Sequence, residues 1–412
     1  MRKKIEILAP VGDFSCLRAA IKAKADSIYF GVDNLNMRSR STHNFKIENL
    51  EEVVKLCREH EIKSYLTLNT IIYDEELQRV KQICQEAQRV KIDAIIAADL
   101  AVIQYAHSMG INLHISTQAN VCNIETIRFF SQYATAIVLS RELTLEQIVS
   151  ICRTIEKEQI CGPDRELMKV ELFIHGALCV ALSGKCYMSL AQYNKSANRG
   201  ECFQVCRRRY RVIEEETQKE LMIDNHYIMS PRDLCTLPVL DRIVKSGVTI
   251  LKIEGRARPA EYVDIVVRMY RKAIRAIETK AYTKENIDCW MQELASVFNR
   301  GFWNGGYYLG EDIGQWSEAY GSQHTRKKIY VGKATHYFSK IGVAEILIQA
   351  YRLCIGDEIL VIGDKTGVVR STIANLRSDV EMTRAKPGDC VSFPLCEKIR
   401  KNDKLYVLEE RM

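Results

Sequence analysis

A chain of 412 residues with 47% hydrophobic and 27% charged residues is long enough for two or three domains and reads as an ordinary soluble globular protein. Its formal charge of +7 is too modest to identify a polyanionic partner by itself. No uninterrupted apolar run is long enough to span a bilayer, and the opening MRKKIEILAPVGD is broken by Glu6 and Pro10, so neither a membrane span nor a secretory signal is expected and the reading is cytoplasmic.

Strand-like runs appear at 5–9, 27–32, 64–69, 93–98, 112–117 and 136–140, then at 170–176 and 249–255. Each is short, β-branched and continuously apolar, as strands covered on both faces are. Between them lie amphipathic segments such as 48–61 and 74–90, whose apolar residues recur at three- and four-residue steps. Eight strands with intervening helices predict a (β/α)8 TIM-barrel-like domain over 1–256, with an open doubly wound sheet as the alternative.

The connection between the seventh and eighth strands is far longer than one helix requires, and this insertion, about 177–248, is expected on the catalytic face. Its last part, 230–248, reads as a helix re-entering the barrel with Cys235 in its first turns. Helices are predicted at 258–280 and 284–300, then a Gly- and aromatic-rich linker at 301–316, so that 257–326 forms a helical extension. From 327 to 412 the period changes to two, which predicts a small all-β barrel domain.

The chain has 15 cysteines, and a reducing compartment favours thiols or metal ligands over disulfides. Cys16, Cys57, Cys84 and Cys152 fall in apolar helical patterns and read as core filling. Cys179, Cys186, Cys202, Cys206 and Cys235 instead cluster in loop-like sequence of the insertion. Spacing alone leaves an iron–sulfur cluster, zinc and a Cys179–Cys186 disulfide open.

The stretch ELFIHGALCVALSGKCYMS, Glu171 to Ser189, resembles the signature of the family historically called peptidase U32, or collagenase-like peptidases. Glu171, Phe173, Gly176, Ala177, Leu178, Cys179, Gly184, Cys186, Met188 and Ser189 stand at its fixed positions. Further segments similar to the family's pattern, among them NMRSRS, ANRGECFQVCRRRY, SPRDLC and LKIEGRARPAEYVDIVVRMYR, extend the resemblance over at least residues 5–275. It implies a 4Fe-4S cluster on the barrel-like domain, with Cys179, Cys186, Cys202 and Cys235 as ligands. Cys206 matches a cysteine found in part of the family and is an alternative to Cys202.

The old family name implies a peptidase, yet the sequence has neither a G-x-S-x-G nor an H-E-x-x-H motif, and His175 is the one histidine of the signature. The better-understood members look like O2-independent hydroxylases that use prephenate as cosubstrate on tRNA, ribosomal RNA or a ubiquinone precursor. A barrel followed by a small β domain is most similar to the tRNA 5-hydroxyuridine synthase branch, which modifies the wobble uridine. The resemblance also allows for a U32-type paralogue as partner, and for a noncatalytic iron–sulfur RNA-binding factor or a hydroxylase of another RNA as alternatives.

Residues 195–211 carry six Lys or Arg and one acid, so Arg207, Arg208, Arg209 and Tyr210 are candidate RNA contacts, with Tyr193 and Phe203 offering further aromatic faces. Lys333, Arg370 and Arg377 add basic groups in the β domain. A dicarboxylate such as prephenate calls for fixed cations at strand ends, which points to Arg38, Arg40, Arg141, Lys252 and Arg256, with Arg258 beside them. His175 and Glu254 are the candidate catalytic acid/base groups. Alternation places Lys252, Glu254 and Arg256 on one side of their strand.

Overall fold

The computed structural model describes residues 4–40, 44–181, 185–223, 225–310, 315–378 and 380–411. Eight parallel strands form its centre: β1 (Glu6–Pro10), β2 (Ser27–Gly31), β3 (Lys63–Leu68), β4 (Ala94–Ala97), β5 (Leu113–Ile115), β6 (Ala136–Val138), β7 (Lys169–Gly176) and β8 (Ile250–Ile253). Each pairs with the next in order, and β8 pairs with both β7 and β1, so the sheet closes into a barrel. The closed ring decides between the two architectures the pattern left open.

The strands read as continuous apolar runs because both faces are covered. Inside, Leu8, Tyr29, Tyr65, Ile96 and Ile250 pack as one cluster. Outside, helices lay their apolar stripes on the sheet, as Leu50–Glu59 does with Val53, Val54 and Cys57, and Leu77–Arg89 with Val80, Ile83 and Cys84. Cys16, Cys57 and Cys84 are core residues, as their periodicity predicts. Helix starts follow local chemistry: the Asp13 carboxylate accepts the Cys16 N–H at 2.8 Å, and Thr144 with Gln147 forms a reciprocal cap.

Two segments differ from expectation. Residues 230–248 do not form one helix: Asp233–Cys235 is a strand, antiparallel to β7 and parallel to Phe302–Asn304, and the helix is confined to Leu240–Lys245. The predicted linker therefore supplies an edge strand that seats Trp303, 2% exposed, in the core. Both pairings are long-range, and a local pattern carries no trace of them.

Helices Ala260–Glu278 and Lys284–Ala295 follow β8 as predicted. Beyond them Arg326–Phe338, Val343–Ile348, Glu358–Gly363, Gly367–Thr372, Cys390–Pro394 and Lys404–Glu410 form a six-stranded sheet with antiparallel pairings. This sheet has a hydrophobic core of its own, built on Val331, Ile346, Val361, Phe393 and Leu405. Its strand Gly367–Thr372 lies against helix Phe14–Lys22. Gly367 has φ +71°, and a Cβ there would meet Arg18 Cβ at 2.9 Å, so a glycine is required at this contact. No helix among the described residues is long and apolar enough to cross a membrane.

Candidate active site at the barrel mouth

β8 is the axis of the site. Lys252, Glu254 and Arg256 all face Tyr29: the Lys252 ammonium lies 4.5 Å from the ring centroid, the Arg256 guanidinium 5.7 Å, and the Tyr29 hydroxyl 3.3 Å from Glu254 Oε2. Their depths differ, and so do their roles. Lys252 sits within the barrel and donates to Glu171 at 2.6 Å, while His114 Nδ1 approaches the other oxygen of that carboxylate at 3.2 Å. Burial alone would raise the Glu171 carboxyl, but Lys252 and His114 outweigh it and hold the group below its ordinary range. Lys252, which its strand-end position made a candidate substrate contact, is half of an interior ion pair with Glu171.

Glu254 stands higher, at the rim. Arg38 donates to its Oε1 from Nε at 3.1 Å and from Nη2 at 2.7 Å. Burial raises this carboxyl, yet Arg38, Arg141 and Arg256 together pull it down to about 2. A carboxylate held there carries no proton near neutrality, so Glu254 is an anion at the rim with no proton to give as a general acid.

Arg256 is buried, and its Nη1 donates to Asn36 Oδ1 at 2.9 Å and Thr67 Oγ1 at 2.8 Å. Arg141 lies 4.0 Å over the Phe173 ring and donates to the Ala177 carbonyl at 3.0 Å. The Nε atoms of both guanidiniums are buried without a hydrogen-bond partner among the described residues, as are Thr70 Oγ1 and Asn198 Oδ1. Buried donors left open in this way cost about 1–3 kcal/mol each unless a ligand meets them. Three arginines with one resident carboxylate leave a cationic mouth suited to an anion with more than one carboxylate.

The predicted cysteines separate into two environments. Cys206, raised to about 11 chiefly by burial, is acted on by the charges of Cys179, Cys202 and Cys186, with Arg207 opposing them. Cys202 lies within electrostatic reach of Arg38, which joins the thiols to the mouth. Cys235 stands apart. Its Sγ is buried 3.8 Å from the Tyr270 hydroxyl and 3.6 Å from Met291 Sδ, and no other thiol is among the charges that act on it. Cys179, Cys186 and Cys202 thus lie within electrostatic reach of Cys206, whereas Cys235 faces Tyr270 and Met291. Gly184, between the first two, lies outside the described residues.

Among the described residues no three His, Cys, Asp or Glu groups are gathered tightly enough for a single metal ion. An iron–sulfur cluster takes thiolates around a larger body, and Cys179, Cys186 and Cys202, each within electrostatic reach of Cys206, are thiols this insertion offers to one. The donor set is all sulfur, which matches an iron–sulfur cluster.

His175 lies in an aromatic surrounding. A shift of register between Lys252 and Ile253 brings it opposite Ile253, and its ring lies among Tyr262, Tyr270 and Phe302. Only 2% exposed, it is lowered to about 3 by burial and by Arg258. It is a neutral imidazole buried among aromatic rings. Below its ordinary value near 6.5 the unfolded chain binds a proton that the native chain does not take up until about 3, so stability falls as pH falls through that window. Between pH 7 and pH 5 the wild type is expected to lose about 2 kcal/mol more than His175→Phe, measured by urea unfolding.

Of the predicted RNA contacts, Arg207 is spent within the protein. It donates to Ser230 Oγ at 3.1 Å, to the Pro231 carbonyl at 2.6 Å and to the Leu178 carbonyl, bracing the segment that bears Cys179. Arg208 and Arg209 are exposed, Tyr210 is half-buried with its hydroxyl on the Val205 carbonyl at 3.0 Å, and Arg40 lies on the Phe203 ring. Sequence reasoning missed Tyr29, Asn36, Thr67 and His114. Their one signal is position, since each lies in or just after a barrel strand. A cavity of about 560 Å³ opens at the opposite end, lined by Glu6, Asp26, Lys63, Lys169 and Thr249 at the amino ends of strands. Its lysines are paired with acids, and in a barrel that face serves stability.

A profile of peptidase family U32 matches residues 12–318. The chain is 48% identical over 407 residues to a collagenase of Porphyromonas gingivalis, covering 98% of each chain. It is 30% identical over 309 residues to a tRNA hydroxylation protein of Bacillus subtilis, covering 72% of this chain and 69% of that one. It is 34% identical over 275 residues to a 23S rRNA 5-hydroxycytidine synthase of Escherichia coli, covering 66% of this chain and 40% of the relative.

Proposed function

This chain belongs to peptidase family U32, and from that premise we propose that it is an iron–sulfur RNA-modifying enzyme that hydroxylates the wobble uridine of tRNA without O2, with prephenate as cosubstrate. Relatives named as tRNA hydroxylation proteins and as a 23S rRNA 5-hydroxycytidine synthase support a nucleic-acid hydroxylase. The observation that carries the reading is the juxtaposition of four thiols with a cationic barrel mouth in which the buried Nε atoms of Arg141 and Arg256 have no protein partner among the described residues.

Cys179, Cys186, Cys202 and Cys206 would hold the cluster, which when bound supplies redox or Lewis-acid chemistry to a substrate oxygen. Arg38, Arg141 and Arg256 receive the dicarboxylate, and Asn36 and Thr67 fix the Arg256 fork in the barrel wall. Glu254 keeps Arg38 extended into the mouth. Arg208 and Arg209 lie on the exposed side of the insertion, where RNA phosphates approach.

Nucleoside analysis tests the reading. tRNA from a strain lacking the gene, and its U32-type paralogues, is expected to lose 5-hydroxyuridine-derived nucleosides, and this chain alone is expected to restore them. Failure to restore them counts against the uridine assignment. The relative named collagenase favours a second reading, a peptidase. Gelatin hydrolysis that persists after iron is stripped would establish it.

A further inference from the structure

The insertion carries a stack that the assignments above leave unused. Helix Met188–Tyr193 ends at Asn194, which adopts the left-handed conformation and turns the chain. The Phe203 and Tyr193 rings then lie with centroids 4.5 Å apart and planes within 9°. Arg40 covers Phe203, its guanidinium 3.2 Å from the centroid, and Arg208 stands over Tyr193 at 5.2 Å while donating to its hydroxyl. The order is Arg40, Phe203, Tyr193, Arg208.

The two ends of the stack differ. Arg40 is close on its ring, and its backbone N–H reaches the Gly200 carbonyl at 3.4 Å, while the Phe203 N–H is held by Ser189 Oγ at 3.0 Å. That end is anchored beside Cys202. Both arginines are exposed, but Tyr193 is 38% exposed while Phe203 is half-buried, so the open ring face is that of Tyr193. A nucleobase stacked on an aromatic ring is held more firmly than a loose cation–π contact at an exposed site. A base that takes this face would compete with the Arg208 cation–π contact, while Arg208 can keep its hydrogen bond to the Tyr193 hydroxyl at the ring edge.

We propose that the outer face of Tyr193 is a stacking site for a nucleobase of single-stranded RNA flanking the base that is modified. This rests on the RNA reading given above. Such a site sets the register of the strand past the thiols through a flat, sequence-tolerant surface.

The test uses the full chain, purified without oxygen, and a synthetic anticodon stem-loop carrying a fluorescent adenine analogue next to the wobble uridine. Wild type and Tyr193→Phe are expected to bind it and quench the analogue. Tyr193→Leu, with an unchanged thermal melt, is expected to bind about tenfold or more weakly and without quenching. Arg208→Ala is expected to keep the quench, because the ring remains. If wild type binds and Tyr193→Leu binds and quenches equally, the stacking site is overturned while the RNA reading stands. If quenching is lost in Arg208→Ala but kept in Tyr193→Leu, the site is the guanidinium and the proposal fails. If wild type binds no loop RNA, the RNA reading falls and takes the stacking site with it.

Discussion

Cys206→Ser is expected to emerge from anaerobic purification without brown colour and with its iron lost, whereas Cys235→Ser is expected to keep both. The two residues belong to the same insertion and differ in what surrounds them. Cys206 lies within electrostatic reach of Cys179, Cys186 and Cys202, and of Arg207. A serine there replaces a soft thiolate by a hydroxyl that does not ionise near neutrality, and one ligand of four is gone. Cys235 is sealed between Tyr270 and Met291, where burial pushes the thiol up to about 12. A serine at that site buries a hydroxyl, and its cost of about 1–3 kcal/mol falls on folding. Visible absorbance and iron per chain, read beside a thermal melt, separate the two effects. Iron lost from Cys235→Ser and kept by Cys206→Ser would return the fourth ligand to the strand Asp233–Cys235.

The contrast also marks where the sequence is legible. The eight barrel strands announce themselves because a strand buried on both faces must be apolar throughout, and each can be recognised from its own residues. Lys252, Glu254 and Arg256 follow from alternation along one strand, and the structure puts all three against Tyr29. Cys235 is different, since its environment is made by β7, by Phe302–Asn304 and by side chains of two later helices. No property of residues 230–248 encodes those partners. His175 is hidden for a related reason: the register shift on β8 and the +104° φ of Gly176, where a Cβ would meet the Glu254 carbonyl at 2.3 Å, are features of the fit between β7 and β8. Arg207 reads as one of three equivalent arginines until its donors are found on Leu178, Ser230 and Pro231. Residue type is visible in sequence, but whether a donor is already spent is settled by packing.

That distinction governs the mouth, where Glu254→Gln is expected to destabilise the ligand-free chain and at the same time tighten its hold on a dicarboxylate. Glu254 is the resident counter-charge for Arg38, Arg141 and Arg256. Its lowered carboxyl means that this stabilisation is complete above the ordinary value of 4.5 and is lost as pH falls toward 2. Removing one member of a buried charge pair costs about 3–5 kcal/mol. The lower end is expected here, because the Arg38 side chain is 32% exposed and solvent screens part of the loss. The glutamine still accepts hydrogen bonds from Arg38, but it no longer offsets the three guanidiniums, and an incoming dianion then meets less like charge. Thermal melts with and without prephenate measure both quantities at once. The ligand-free melting temperature should fall, and the increment on adding prephenate should exceed that of wild type. Equal increments in the two proteins would show that the dicarboxylate binds elsewhere, and that the open Nε atoms of Arg141 and Arg256 await a different ligand.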